Sequence, residues 1–192
     1  MAGWGSKETD KLRDNVEAQL NRLLAQLQDL DDLKDELEED EIEDIRADTL
    51  EQMEEFEATL ARMMSGDVTL VDSLGSMRIA VQAAISKAFQ TPEVIKMFAK
   101  KDSGQLRGRL NTIQMNVKLG KTTREQATAQ IVEVLLALKK LGETLSTEEQ
   151  NFLEKNRSAV MSEFETVSDE MGTGAKSKVL SSAATQIKRA KN

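Results

Sequence analysis

Reactive side chains are scarce in this sequence. It contains no histidine and no cysteine, so the usual general base, the commonest metal ligand and the thiol nucleophile are all missing. A serine or threonine nucleophile would need a lysine or a paired carboxylate as its base, and no motif pairs them. The sequence also lacks the motifs G-x-x-x-x-G-K and G-x-G-x-x-G, whose glycines cradle phosphates. We therefore predict that the protein is not an enzyme and that it has no catalytic residue, cofactor or metal site.

The richest supply of possible ligands is the acidic run from Asp29 to Asp44. Carboxylates can bind cations loosely, but this run lacks the fixed glycine and the ligand spacing of a calcium loop. It is typical either of a solvated surface whose charges repel one another, which is the commoner case, or of a surface that attracts a basic partner. The residues that would attract such a partner are Asp29, Asp31, Asp32, Asp35, Glu36, Glu39, Asp40 and Glu41.

The net charge of −8 is unevenly distributed along the chain. Residues 1–65 hold 20 acidic and 7 basic side chains, whereas residues 66–192 hold 14 acidic and 19 basic ones. Residues 94–124 are the most basic part, with eight basic side chains and one acid. No nucleic-acid recognition motif and no tyrosine accompanies them, so balance against the acidic part is favoured over nucleic-acid binding.

The sequence shows neither a signal peptide nor a membrane span. There is no apolar signal-peptide core and no run of 18 apolar residues, so we expect no membrane partner. The absence of cysteine fits a reducing compartment. We expect a soluble protein of the cytoplasm, the nucleus or both.

Heptad spacing dominates the first third of the chain, and a single proline with 31% charged residues is typical of a helical protein. One seam of a and d positions runs from Arg13 to Leu37, and a second runs from Ile42 to Met63 in a different register. Asp40 is a candidate N-cap between them. The two seams can fold back as an antiparallel hairpin, which we favour, or one long helix can pair with a second copy as a homodimer.

Further helices are predicted from capping signals and apolar stripes. Thr69 is expected to begin a helix of about 70–89, and Thr91 with Pro92 at the first helical position begins another. A helix over about 106–117 ends at Gly120. Helices over about 124–141, 147–155 and 157–171 follow, and the basic stretch after residue 174 is either a weak helix or a tail that orders on binding.

Residues 131–164 contain a helical hairpin. Ile131, Val134 and Leu138 lie on one stripe, and Gly142 follows the helix where a left-handed residue can end it. Ser146 and Glu149 form a capping box that begins the next helix. Asn156 is a candidate left-handed stop for that helix.

The run VEVLLALKKLGETLSTEEQNFL, residues 132–153, resembles the ICAT family of β-catenin-interacting proteins, and this resemblance covers about residues 124–184. Together with the zipper-like heptads and the stretches MSGDVTLVDSL, AISKAFQTPEVIKMFAKK and GQLRGRLN, the whole chain resembles proteins that join a leucine zipper to an ICAT domain. In ICAT a three-helix unit packs on the last armadillo repeats of β-catenin, and an acidic tail excludes Tcf from a basic groove.

The resemblance implies a partner-binding set: Ala127, Ile131, Val134, Leu138, Val179 and Leu180. Ala127 and Ile131 stand where ICAT has a tyrosine and a lysine, and losing an interface tyrosine can cost more than roughly 1 kcal/mol. The tail ends in Lys188, Arg189 and Lys191 where ICAT is acidic, so a basic groove would repel it. The resemblance thus implies the fold more firmly than the β-catenin activity.

We expect an all-α fold in which an N-terminal coiled-coil-like helical hairpin precedes a multi-helix bundle with a C-terminal ICAT-like three-helix unit. The expected segments are residues 1–66, 67–120 and 121–192. The favoured function is an adaptor that binds β-catenin or another armadillo-repeat protein and modulates Wnt-type signalling. The alternative is a scaffold whose acidic hairpin recruits a different, basic partner without binding β-catenin.

Overall fold

The computed structural model describes residues 3–67 and 69–171 of the chain. These residues form eight helices and no strand, which confirms the predicted all-α fold. The helices are α1 (Gly3–Asp32), α2 (Glu39–Gly66), α3 (Leu70–Ile85), α4 (Pro92–Ala99), α5 (Ser103–Lys118), α6 (Arg124–Lys140), α7 (Thr147–Asn156) and α8 (residues 159–171).

The two heptad seams pair with each other inside one chain. Arg46 on α2 contacts Asp31 on α1 at 3.4 Å, and Thr49 lies opposite Gln26, so the two helices run antiparallel. This is the favoured hairpin, and the single long helix is wrong for the described chain. Whether two copies also associate stays a prediction. The seam buries Val16, Leu20, Leu23, Leu24 and Leu30 from α1, and Thr49, Met53, Phe56, Leu60 and Met64 from α2.

The start of α2 differs from the prediction, whereas α3 begins at Leu70 as predicted but without the predicted side-chain cap. Helix α2 begins at Glu39, two residues earlier than an N-cap at Asp40 allows, and the Glu41 carboxylate accepts a hydrogen bond from the Glu38 amide at 3.4 Å. Thr69 precedes α3 without capping it, because its amide and hydroxyl donate to the Asp67 carboxylate at 2.9 and 2.7 Å. These two hydrogen bonds hold the pKa of Asp67 below its ordinary value.

The helix ends depend on residues with positive φ. Gly120 and Gly142, with φ of 69° and 84°, follow α5 and α6 as predicted. Lys87 also adopts a left-handed conformation, with φ of 61°, so α3 ends at Ile85 and is shorter than predicted. The predicted left-handed stop at Asn156 is wrong, because that residue is still helical.

Helix α4 lies at the centre of the fold although it is only 8 residues long. It contacts α1 and α3 on one side and α5 and α6 on the other. The buried apolar side chains form one continuous cluster that extends from Val16 on α1 to Phe164 on α8. Apolar packing is therefore continuous across the predicted segment boundaries near residues 66 and 120, and these boundaries stay predictions.

An aromatic cluster attaches α8 to the centre of the fold. Phe89, in the connection between α3 and α4, contacts Phe98 of α4 edge-on, with ring centroids 5.4 Å apart. Phe164 of α8 packs against the other side of Phe89 at 5.5 Å, and all three rings are buried. This geometry adds favourable ring contacts to the burial of three large side chains.

We expect Phe164→Ala to lower the free energy of unfolding by about 3–5 kcal/mol, because it removes a buried ring and leaves a cavity against Phe89. Val160→Ala, at an exposed position of the same helix, is the matched control and should change stability by about 0.5 kcal/mol or less. Urea unfolding measures both. Equal, small effects would contradict the docking of α8 onto the core.

Candidate protein-interaction surfaces

The structure places the predicted α6 partner-binding residues inside the protein. Ala127, Val134 and Leu138 are buried, and Ile131 is half-buried. Val179 and Leu180 lie outside the described residues. The partner-binding role of this set stays a prediction, and in this structure a partner has no access to the three buried side chains.

Two central turns of helix α6 are covered on all sides. Every residue from Val132 to Leu138 is buried, so this part of the helix does not present a single stripe to the core. Nearer the start of the helix, Glu125, Gln126 and Ala129 are exposed. Helices α4, α5 and α7 supply the cover. A helix that is enclosed in this way is an interior element of a larger protein.

The buried residue that sequence reasoning missed is Glu133 of α6, which is only 5% exposed. One carboxylate oxygen accepts hydrogen bonds from the amides of Gln90 and Thr91 at 3.1 and 2.9 Å, and the other accepts from the Thr91 hydroxyl at 2.9 Å. These donors immediately precede α4. The predicted N-cap position of Thr91 is therefore correct, but its hydroxyl donates to Glu133 and does not cap its own helix.

Burial raises the pKa of Glu133, although the hydrogen bonds from Thr91 and Gln90 and the charge of Arg109 lower it in part. Arg109 of α5 is ion-paired with Glu93 in the first turn of α4. Charged side chains from α4, α5 and α6 thus form a cluster that extends from the buried Glu133 through the half-buried Arg109 to the exposed Glu93. The only sequence signal for it is a single glutamate within a run of apolar residues.

A second polar contact ties α5 to the start of α7. Arg107 contacts the Glu149 carboxylate at 2.6 Å and donates to the carbonyl of Thr144 at 2.9 Å. Glu149 also accepts from the Ser146 amide at 2.8 Å, as the predicted capping box requires. Burial raises the pKa of Glu149, but hydrogen bonds from Ser146 and Arg107 and the Arg107 charge outweigh it, so the net shift is downward.

Ion pairs hold α8 against the carboxyl end of α6. Lys139 and Arg157 both contact the Glu165 carboxylate, and the Lys139 distance is 2.9 Å. Lys140 contacts Asp169 at 2.6 Å while its ammonium lies 5.9 Å from the centre of the Phe164 ring. Helix α8 is thus held to α6 by ion pairs and to the connection between α3 and α4 by the aromatic cluster.

The acidic surface is positioned as the sequence predicted. All eight predicted acids, from Asp29 to Glu41, are exposed around the turn that joins α1 and α2. Of these eight, Asp31 alone has an ion-pair partner among the described residues, and that partner is Arg46. Within the same residues no group of histidine, cysteine or carboxylate side chains could hold a metal ion, and no helix is long and apolar enough to cross a membrane.

The fold and these surfaces define an all-helical protein with an enclosed ICAT-like helix and an exposed acidic hairpin turn. Residues 113–190 match the family described as beta-catenin-interacting protein ICAT. The match covers less than half of the chain, begins within α5 and includes α6, α7 and α8. It confirms the ICAT-like C-terminal part, and the leucine-zipper resemblance stays a prediction. No solved structure matches the chain.

Replacing Glu133 tests the buried contact between α6 and α4. In Glu133→Ala the donors of Gln90 and Thr91 lose their acceptor, and each buried unpaired group costs about 1–3 kcal/mol. Glu133→Gln keeps an oxygen for the two amides and should be less destabilised. Urea unfolding at neutral pH compares the three proteins, and equal stability of both variants would contradict this role.

The same glutamine variant predicts a pH dependence. The pKa of Glu133 is higher in the folded state than its ordinary value of 4.5. The Glu133 side chain therefore contributes fully to the free energy of unfolding below about pH 4.5, and this contribution is lost as the pH rises through the raised pKa. Glu133→Gln lacks this titration, so its stability relative to the wild type should increase over that pH range. Unfolding measured at several pH values checks the sign, and a constant or decreasing difference would contradict it.

Proposed function

We propose that the protein is a non-catalytic adaptor of the cytoplasm or nucleus that binds another protein through its ICAT-like part. The observation that carries the proposal is the match of residues 113–190 to a family described as β-catenin-interacting. The candidate partner is β-catenin or another armadillo-repeat protein, and the candidate consequence is modulation of Wnt-type signalling.

The burial of α6 determines how such a partner would bind. Ala127, Val134 and Leu138 become accessible only if α6 separates from α4 and α5. The carboxylate of Glu133 opposes that separation, because it holds the two amides and the hydroxyl that precede α4. We propose that the partner binds an opened form, in which α6 has separated from α4 and α5. Because only the opened fraction of the molecules can bind, the apparent affinity is the intrinsic affinity multiplied by that fraction.

Calorimetric titration of the full chain into a β-catenin armadillo array tests both parts of the proposal. If the partner binds the opened form, Glu133→Ala should bind more tightly than the wild type. If Glu133→Ala destabilises the closed form by about 1–3 kcal/mol, the apparent affinity should rise roughly 5–150-fold. Glu133→Gln, which keeps the amide acceptor, is the matched control and should show a smaller gain.

The other outcomes are distinct. Binding by the wild type that Glu133→Ala leaves unchanged would show that an exposed surface is used and that opening is not required. No heat from any of the three proteins would contradict β-catenin as the partner. Circular dichroism under the titration conditions confirms that each variant remains folded.

A second candidate function is a scaffold that recruits a basic partner through the acidic hairpin turn. The exposure of all eight predicted acids favours it, because seven of them have no ion-pair partner among the described residues. A field of unpaired like charges speeds the encounter with an oppositely charged protein.

Charge reversal at Asp35, Glu36, Glu39 and Asp40 to lysine tests this scaffold. Reversal of four exposed acids elsewhere, at Glu143, Glu148, Glu154 and Glu163, is the matched control. Affinity capture from cell extract followed by mass spectrometry should lose a basic partner with the first variant and keep it with the second. Loss of the same partner from both would show that net charge alone governs the capture.

A further inference from the structure

The turn between α5 and α6 exposes apolar side chains among cations. Among the large apolar side chains that the structure describes, those of Met115 and Leu119 are the most exposed, at 60% and 61%. They are four residues apart at the end of α5 and therefore share one face. Lys118, Lys121 and Arg124 surround them and are exposed. We call these five residues the basic turn.

The basic turn is held rigidly in its exposed form. Gly120 adopts a φ of 69°, and the Lys121 amide donates to the carbonyl of Asn116 at 2.9 Å. Thr123 then caps α6 by accepting a hydrogen bond from the Gln126 amide at 3.3 Å. The three cations of the basic turn form no ion pair with the described residues. Lys118 lies in the last turn of α5, and Lys121 and Arg124 lie near the positive amino end of α6. The surface is preorganised for an acidic, partly apolar ligand.

The chain contains a surface of the opposite sign and similar character. Leu33, in the turn that joins α1 and α2, is 39% exposed, and Ile45, in the second turn of α2, is 43% exposed. The Arg46–Asp31 contact sets the register that brings them to the same end of the hairpin. Residues 29–44 around them hold eleven acidic side chains and one lysine. We call residues 29–45 the acidic turn.

We propose that the basic turn of one molecule binds the acidic turn of a second copy of the chain. Charge complementarity and the exposed apolar pair on each turn carry this proposal, which does not depend on the proposed function. The heptad seams cannot serve instead, because each is filled by its partner helix within the hairpin. Exposed leucines occur singly on most proteins, whereas apolar residues ringed by charge are typical of binding surfaces.

The predicted contact is small and electrostatic, which determines how it behaves. Two apolar side chains on each turn bury far less than the roughly 1,000 Å² of a stable interface, so the contact is transient. Different surfaces meet in it, and such a head-to-tail contact produces rings or open chains. Ionic strength weakens it, because the Debye length shortens from about 30 Å at 0.01 M salt to about 3 Å at 1 M.

Sedimentation of the full chain over a range of concentrations tests the charges. The wild type should associate at low salt and return to monomer at high salt. Reversing the basic turn with Lys118→Glu, Lys121→Glu and Arg124→Glu should abolish association. The matched control reverses three exposed lysines elsewhere, Lys11→Glu, Lys96→Glu and Lys155→Glu, and should associate like the wild type. A monomer at every concentration, or equal loss in both variants, would overturn the proposal.

Disulfide trapping tests the pairing itself, and the absence of native cysteine makes it clean. Leu119→Cys and Leu33→Cys proteins are mixed in equal amounts at low salt and oxidised. The mixed dimer should form in excess over random pairing, and the charge-reversed basic turn should remove that excess. Val160→Cys, also at an exposed position, replaces Leu119→Cys as the control and should give random pairing with Leu33→Cys. Random products throughout, or an excess of Leu33→Cys pairs, would overturn the proposal.

Discussion

The carboxylate of Glu133 joins α6 to the connection that leads into α4. Among the described residues, helix α4 contacts both the N-terminal helices α1 and α3 and the later helices α5 and α6. An isolated helix of 8 residues is not stable in water, so α4 depends on its surroundings. Pro92 sets the backbone of its first turn, and Glu133 accepts the hydrogen bonds of the two amides that precede it. The hydrogen bonds from the Gln90 and Thr91 amides offset part of the energetic cost of burying the Glu133 carboxylate, and they also fix the start of α4.

This structure separates two properties that a family resemblance implies together, the local helical hairpin and the exposure of that hairpin to a partner. The capping box at Ser146 and the left-handed glycine at Gly142 act within a few residues, so a matching sequence keeps the local hairpin. Exposure depends on what else packs against the hairpin. Here α4 and α5 cover α6, and most of their residues precede the matched range of 113–190. A shared helix can therefore form a docking surface in one protein and lie in the interior of another.

The features that were predicted correctly from the sequence are those that depend on residues close together in the chain. Apolar spacing and capping signals predicted the helices and the acidic turn, because period and charge need no knowledge of distant residues, but they only favoured the hairpin over one long helix. The cap of α2 was misplaced because the acids from Glu38 to Glu41 compete equally for one position. The left-handed Lys87 was not predicted because no glycine or asparagine marks the position, although the local turn closes with a hydrogen bond from the Phe89 amide to the Ala83 carbonyl at 3.1 Å.

The candidate site was harder to predict than the fold. Glu133 and Thr91 are 42 residues apart, and nothing in either neighbourhood indicates the other. The stripe through Ile131, Val134 and Leu138 indicated an apolar face, but an apolar face can meet either a partner or the remainder of the same chain. Only the positions of α4, α5 and α7 decide between these alternatives.

The order of the helices along the chain also bears on biosynthesis. The most hydrophobic contiguous segment of α6, from Val134 to Leu138, leaves the ribosome after α3, α4 and α5 have been made. The contacts of α6 with α4 and α5 use segments already synthesised, whereas its contacts with α7 form later. A reversed order would leave this segment exposed during translation, when unburied apolar surface promotes aggregation. The placement of α4 upstream of α6 is thus protective before the protein is complete.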